Sequence, residues 1–168
     1  SNQTSGSMVA IGTGALYTEA ASGYAVAIGY NAYYTHNVAE SYGSVAVGFY
    51  AGRSATSGID NTLIGGYSGR NHTTGNYNVA VGSASLYSNT TASYNTAVGY
   101  QSLYNSTGTT NTALGYAAGN ACTTGTNNLF IGNNAGLSGG AGSSCMYISG
   151  NVASASSASS GLNNELLI

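Results

Sequence analysis

Asn78-Val79-Ala80-Val81-Gly82 is the phrase that decides the fold. It is five residues long, rich in β-branched side chains and closed by a glycine, so it reads as a short strand ending at a corner. Earlier copies are Met8-Val9-Ala10-Ile11-Gly12, Ala25-Val26-Ala27-Ile28-Gly29, Ser44-Val45-Ala46-Val47-Gly48 and Asn61-Thr62-Leu63-Ile64-Gly65. Later ones are Asn95-Thr96-Ala97-Val98-Gly99, Asn111-Thr112-Ala113-Leu114-Gly115 and Asn128-Leu129-Phe130-Ile131-Gly132. The closing glycines stand 17, 19, 17, 17, 17, 16 and 17 residues apart. A ninth copy, Cys145-Met146-Tyr147-Ile148-Ser149, lacks the glycine, and Glu165-Leu166-Leu167-Ile168 opens a tenth.

Such a period is too short for a helix pair or a propeller blade. A strand, a glycine corner and a second short strand around the small residues Ala15, Ala32, Ala51, Ser68, Ser85, Ser102, Ala118 and Ala135 make one coil of a parallel β-solenoid. No Asn-Gly hairpin signal competes with that reading. No proline removes an amide from the ladder between coils. The expected class is all-β, with the repeat body over residues 1–136. Residues 137–168 form looser final coils, with Gly/Ser/Ala-rich loops near 137–161 as candidate recognition segments. Both ends read as cuts within a longer polypeptide.

Side chains alternate along a strand, so Val79 and Val81 face one way and Ala80 the other. A run that is apolar on both faces is buried twice. One face fills the coil. The other, taken to be the small column Ala10, Ala27, Ala46, Ala80, Ala97 and Ala113, is expected to meet sister chains.

Of the 168 residues, 4% are charged: Arg53 and Arg70 against Glu19, Glu40, Asp60 and Glu165. Two cations cannot neutralise a phosphate backbone, which argues against nucleic acid as a partner. No apolar run is long enough to span a membrane as a helix. The carboxylates sit at non-equivalent places in the repeat, unlike a glycosidase pair. His36, His72, Cys122 and Cys145 lack zinc spacing. The expectation is a non-enzymatic protein without metal or cofactor. Free thiols and a disulfide are both open for the two cysteines.

Asn61, Asn78, Asn95, Asn111 and Asn128 form a column suited to an amide ladder along the coil axis. The hydroxyl pairs before the phrase, such as Thr73-Thr74 and Thr90-Thr91, are expected to point alternately in and out. At most one hydroxyl per coil would then face water, which disfavours an ice-binding array. Tyrosine is the strongest surface signal, with 15 copies. Tyr17, Tyr34, Tyr87 and Tyr104 share one column. Tyr30, Tyr100 and Tyr116 share another with Phe49, and Tyr24, Tyr77 and Tyr94 a third. Stacking between coils is one role for them, and contact with sugars or protein loops is the other. Arg53 and Arg70, in one column on adjacent coils, are candidates for an anionic-sugar contact.

Phrases such as Asn95-Thr96-Ala97-Val98-Gly99-Tyr100-Gln101-Ser102-Leu103-Tyr104 resemble the head repeats of trimeric autotransporter adhesins, and still more the related repeats of bacteriophage tail fibres. The resemblance spans roughly Met8 to Gly136. It implies three parallel chains, each a left-handed β-roll, packed as a homotrimer. It further implies a virion-surface fibre that attaches to a host cell-surface receptor, possibly a glycan. The adhesin repeat is shorter than 17 residues, which favours the fibre over a bacterial cell-surface adhesin. A passive fibre shaft is the structural alternative.

Overall fold

The structure, a computed structural model, describes residues 7–18, 24–37, 43–137, 142–148 and 166–167. Ten strands form one parallel sheet in chain order: β1 Val9–Ile11, β2 Ala25–Ile28, β3 Ser44–Val47, β4 Thr62–Ile64, β5 Val79–Val81, β6 Thr96–Val98, β7 Thr112–Leu114, β8 Leu129–Ile131, β9 Met146–Ile148 and β10 Leu166–Leu167. Each strand pairs with the equivalent residues of the next coil, as Val79 with Thr96 and Ala80 with Ala97. The fold is therefore a parallel β-solenoid with coils of about 17 residues, and ten strands at roughly 4.8 Å make it on the order of 45 Å tall. β9 keeps the register without its glycine, with Tyr147 stacked on Phe130 at 5.0 Å. Most of the loop segment 137–161 lies outside the described residues, as do Glu19, Glu40 and Glu165.

The second strand expected after each glycine is absent among the described residues. The small column sits in turns closed three residues back, as Ser85 N–H to Gly82 O at 3.3 Å and Ser102 N–H to Gly99 O at 3.3 Å. The bonds between coils nevertheless continue through those turns, as Leu86 N–H to Ser102 O at 3.0 Å and Ser88 N–H to Tyr104 O at 2.9 Å. The backbone groups of the turns are thus satisfied without a second sheet.

The turns are possible because several columns adopt positive φ. At the closing glycine, φ is +133° for Gly82 and +131° for Gly99. A Cβ on Gly82 would also lie 2.5 Å from the Gly99 carbonyl oxygen, so this column excludes a side chain on two counts. Four residues later φ is again positive, and here the column tolerates Leu86 and Leu103, both at +48°, and Tyr33 at +46°.

That last column explains how so narrow a coil is filled. Where the middle of the strand is alanine, the facing wall supplies a bulky chain: Ala27 with Tyr33, Ala80 with Leu86, Ala97 with Leu103. Where the strand supplies Leu63 or Phe130, the facing position is Gly69 or Gly136. In the coils with Gly52 and Gly119 both walls are small, and neighbours fill the space. A Cβ at Gly52 would lie 2.8 Å from Leu63 Cδ1, and one at Gly119 would lie 2.8 Å from both Leu103 and Phe130. Most layers hold one large side chain and the two small layers are filled from their neighbours, which keeps interior density near that of other proteins.

This packing corrects the expected chain–chain face. Ala27, Ala46, Ala80, Ala97 and Ala113 are 0% exposed within the single chain. Only Ala10, on the first described strand, is exposed. The alanines are small because the opposite wall, or at Ala46 and Ala113 the neighbouring coils, fills the space, and they are unavailable to a second chain. Their strand neighbours point outward instead.

Candidate functional site

Two outward surfaces arise from different segments of the coil. The first is the outer face of the sheet. Val26, Ile28, Val45, Val47, Val79, Val81 and Val98 are half-exposed, while Ile64 and Leu114 are exposed. Aromatic residues flank this strip on both sides. Tyr77 and Tyr94 stack at 5.1 Å before the strands, and Tyr100 and Tyr116 stack at 5.4 Å after them. Tyr30 likewise stacks on Phe49 at 5.5 Å. Three-residue strands from β1 to β9 give a strip on the order of 400 Å², apolar except at Thr62, Thr96 and Thr112, before the aromatic flanks are counted.

The second surface lies five residues past each glycine. Its tyrosines and arginines are separate signals in the sequence, but in the fold they form one strip: Tyr17, Tyr34, Arg53, Arg70, Tyr87 and Tyr104. Tyr17 and Tyr34 stack at 4.9 Å with planes 1° apart, and Tyr87 and Tyr104 at 4.8 Å with planes 10° apart. Between these pairs sit the two guanidiniums. Arg53 lies 5.9 Å from the Tyr34 ring and 5.1 Å from Tyr50. Arg70 lies 5.7 Å from Tyr50, 5.9 Å from Tyr67 and 5.6 Å from Tyr87. Arg70 Nη1 also donates to the Tyr87 hydroxyl at 2.6 Å. Tyr50 and Tyr67, which pack under the guanidiniums, were not singled out from sequence; their column carries other residue types in the remaining coils. Tyr17 is 69% exposed, and the other five strip residues are half-buried.

The asparagine column is internal. Asn78 N–H donates to Asn61 Oδ1 at 2.9 Å, Asn95 N–H to Asn78 Oδ1 at 3.0 Å, Asn111 N–H to Asn95 Oδ1 at 2.9 Å and Asn128 N–H to Asn111 Oδ1 at 3.0 Å. Ser44 starts the ladder, since Asn61 N–H donates to its Oγ at 3.3 Å. At the other end Cys145 N–H donates to Asn128 Oδ1 at 2.9 Å.

A second buried column, seven past the glycine, is hidden in the sequence because its residues are chemically unlike: His36, His72, Asn89, Ser106 and Cys122. Three of them cap the residue three places on. His72 Nε2 bonds to Gly75 O at 2.8 Å, Asn89 Nδ2 donates to Ala92 O at 3.2 Å, and Cys122 Sγ lies 3.7 Å from Gly125 O. Burial lowers His72 to a pKa of about 4, opposed by the bond to Gly75 and reinforced by His36. Burial also pushes the Cys122 thiol up. Cys122 and Cys145 are both free and buried.

The hydroxyl pairs depart from expectation as well. Both members of Thr90-Thr91 and of Thr123-Thr124 are exposed, because they occupy a turn where strand alternation does not hold. Some hydroxyls in these columns are committed inside the fold: Thr73 Oγ1 donates to Thr90 O at 2.9 Å and Thr107 Oγ1 to Thr123 O at 3.2 Å.

Among the described residues no group of three or more His, Cys, Asp or Glu could hold a metal ion. No helix of the described residues is long and apolar enough to cross a membrane. No family model matches the chain, and neither a curated protein nor a solved structure matches it.

Proposed function

We propose that this chain is a non-catalytic host-attachment segment of a trimeric phage tail fibre, in which three parallel solenoids pack through their sheet faces. The observation that carries the reading is the outer face of the sheet, a half-exposed to exposed column of Val, Ile, Leu, Met and Thr with aromatic clusters on both sides. Isolated soluble chains rarely present contiguous apolar patches beyond a few hundred Å². The left-handed winding and the virion-surface location follow from the fibre resemblance. In the assembly the receptor meets the strip from Tyr17 to Tyr104, where rigid tyrosines bind at low entropic cost.

Sedimentation velocity of the purified chain tests the assembly, with a particle of three chain masses expected. A well-folded single chain in dilute buffer would overturn it. Attachment is tested on an array of neutral and acidic bacterial surface glycans, with binding to at least one class expected.

A passive shaft is the second reading, favoured by the face-to-face contacts of the tyrosines, which direct their rings at each other along the axis. An assembled trimer that binds nothing on the array supports the shaft.

A further inference from the structure

Resting on the attachment reading, we infer that the centre of the strip, Arg53 and Arg70 with Tyr34, Tyr50 and Tyr87, is a subsite for an acidic saccharide, whose oxyanion spans the two guanidiniums while sugar hydroxyls meet the flanking phenols.

The two arginines are the only cations of the chain, and the fold sets them side by side. Ser54 N–H, next to Arg53, donates to Arg70 O at 3.1 Å, so the two side chains leave neighbouring rungs at equivalent places. Like charges so placed repel. Asp60, the only acidic residue among those described, precedes Asn61 as Tyr77 precedes Asn78. It therefore lies on the flank of the sheet face, on another part of the coil. An anion touching both guanidiniums relieves the repulsion.

The geometry also leaves the guanidiniums equipped to bind. Tyr50 is within 5.7 Å of both, so aromatic contact engages the planar cations through the ring faces of their neighbours. A guanidinium stacked on a ring keeps its N–H edge for a planar, two-pronged acceptor. Both Nε atoms are buried, so an outside acceptor meets the terminal Nη edges, of which Arg70 Nη1 already donates to the Tyr87 hydroxyl. Stacked phenols on either side continue the same strip along the axis. A linear polyhydroxyl chain carrying oxyanions matches that order of groups. The shared chemistry is the sugar-borne oxyanion, and its source is a carboxylate or a sulfate.

Titration calorimetry with the intact chain uses three probes: a galacturonic acid hexamer, its methyl ester and a sulfated galactose hexamer. The acid or the sulfated probe is expected to bind at least tenfold more tightly than the ester, and whichever binds identifies the oxyanion. The double variant Arg53→Gln/Arg70→Gln should lose that preference, and Tyr87→Phe should lower affinity severalfold. Failure of both charged probes to bind more tightly than the ester, absence of binding to all three, or unchanged binding by the double variant overturns the subsite. The sedimentation coefficient of the double variant should match that of the parent. If it instead falls to that of a single chain, the arginines serve the chain–chain contact and the subsite is overturned. Array binding confined to neutral glycans would leave attachment standing while removing the acidic subsite.

Discussion

His72 is neutral because it is enclosed. Its pKa of about 4, against an ordinary 6.5, means the folded chain binds fewer protons there than the unfolded one. Its contribution is therefore complete above pH 6.5 and is lost as pH falls from there through about 4. The loss amounts to as much as about 3 kcal/mol at full protonation. His72→Asn keeps the cap in the form Asn89 already uses and removes the titrating group. Urea midpoints at pH 7, 5.5 and 4 should fall less steeply for the variant than for the parent, and equal slopes would contradict the assignment. The amide ladder makes a second demand at this scale. Asn95→Ala strands the buried Asn111 N–H, at a cost of about 1–3 kcal/mol. Asn95→Ser should cost less, because Ser44 accepts the corresponding bond from Asn61. If the two variants melt alike, the ladder does not set the stability of these rungs.

A coil is a strand plus a turn wall, and its stability depends on how the two share one layer of core. Leu63→Ala empties that layer and should cost about 2–5 kcal/mol. Gly69→Leu overfills it, since an added Cβ would already lie 2.8 Å from Leu63 Cδ2. Made together, the changes recreate the Ala80/Leu86 layer, in which leucine already adopts the required positive φ. The double variant should therefore be more stable than the sum of the singles by about 0.5–3 kcal/mol in denaturant unfolding. Additive losses would mean that the two walls do not compensate each other. The repeat period, the strands and the asparagine ladder were legible in the sequence, because each recurs as one residue type in one column. The direction of the strand was not. Val-Ala-Val is apolar on both faces, and only the bulk of Leu86 or Tyr33 across the coil shows that alanine points inward. The Tyr/Arg strip was half legible: each member is visible in the sequence, but tyrosine and arginine in one column are two chemical signals, and only the stacking of the coils joins them.

The molecule as a whole is a stack in which each coil contacts its neighbours, so stability and binding should respond differently to the removal of a rung. On the outer face, Ile64→Glu with Leu114→Glu places charge at positions already exposed in one chain. Circular dichroism should be unchanged while sedimentation falls to a single chain, and an intact trimer would move the interface elsewhere. Deleting 79–95 joins Asn78 to Thr96 and keeps every column in register, since β5 and β6 are offset by 17 residues. Deleting 45–61 joins Ser44 to Thr62 in the same way, with β3 and β4 also offset by 17. Each deletion removes one rung and should lower the unfolding free energy by a similar amount. Their effects on ligand should diverge. The first keeps Arg53 beside Arg70 and brings Tyr104 against Arg70 in place of Tyr87. The second removes Arg53 and leaves one guanidinium to hold the oxyanion. Affinity for the acidic hexamer should survive the first deletion within a few-fold and drop at least tenfold in the second. Equal losses would mean that saccharide recognition is spread over the whole strip rather than centred on the arginine pair.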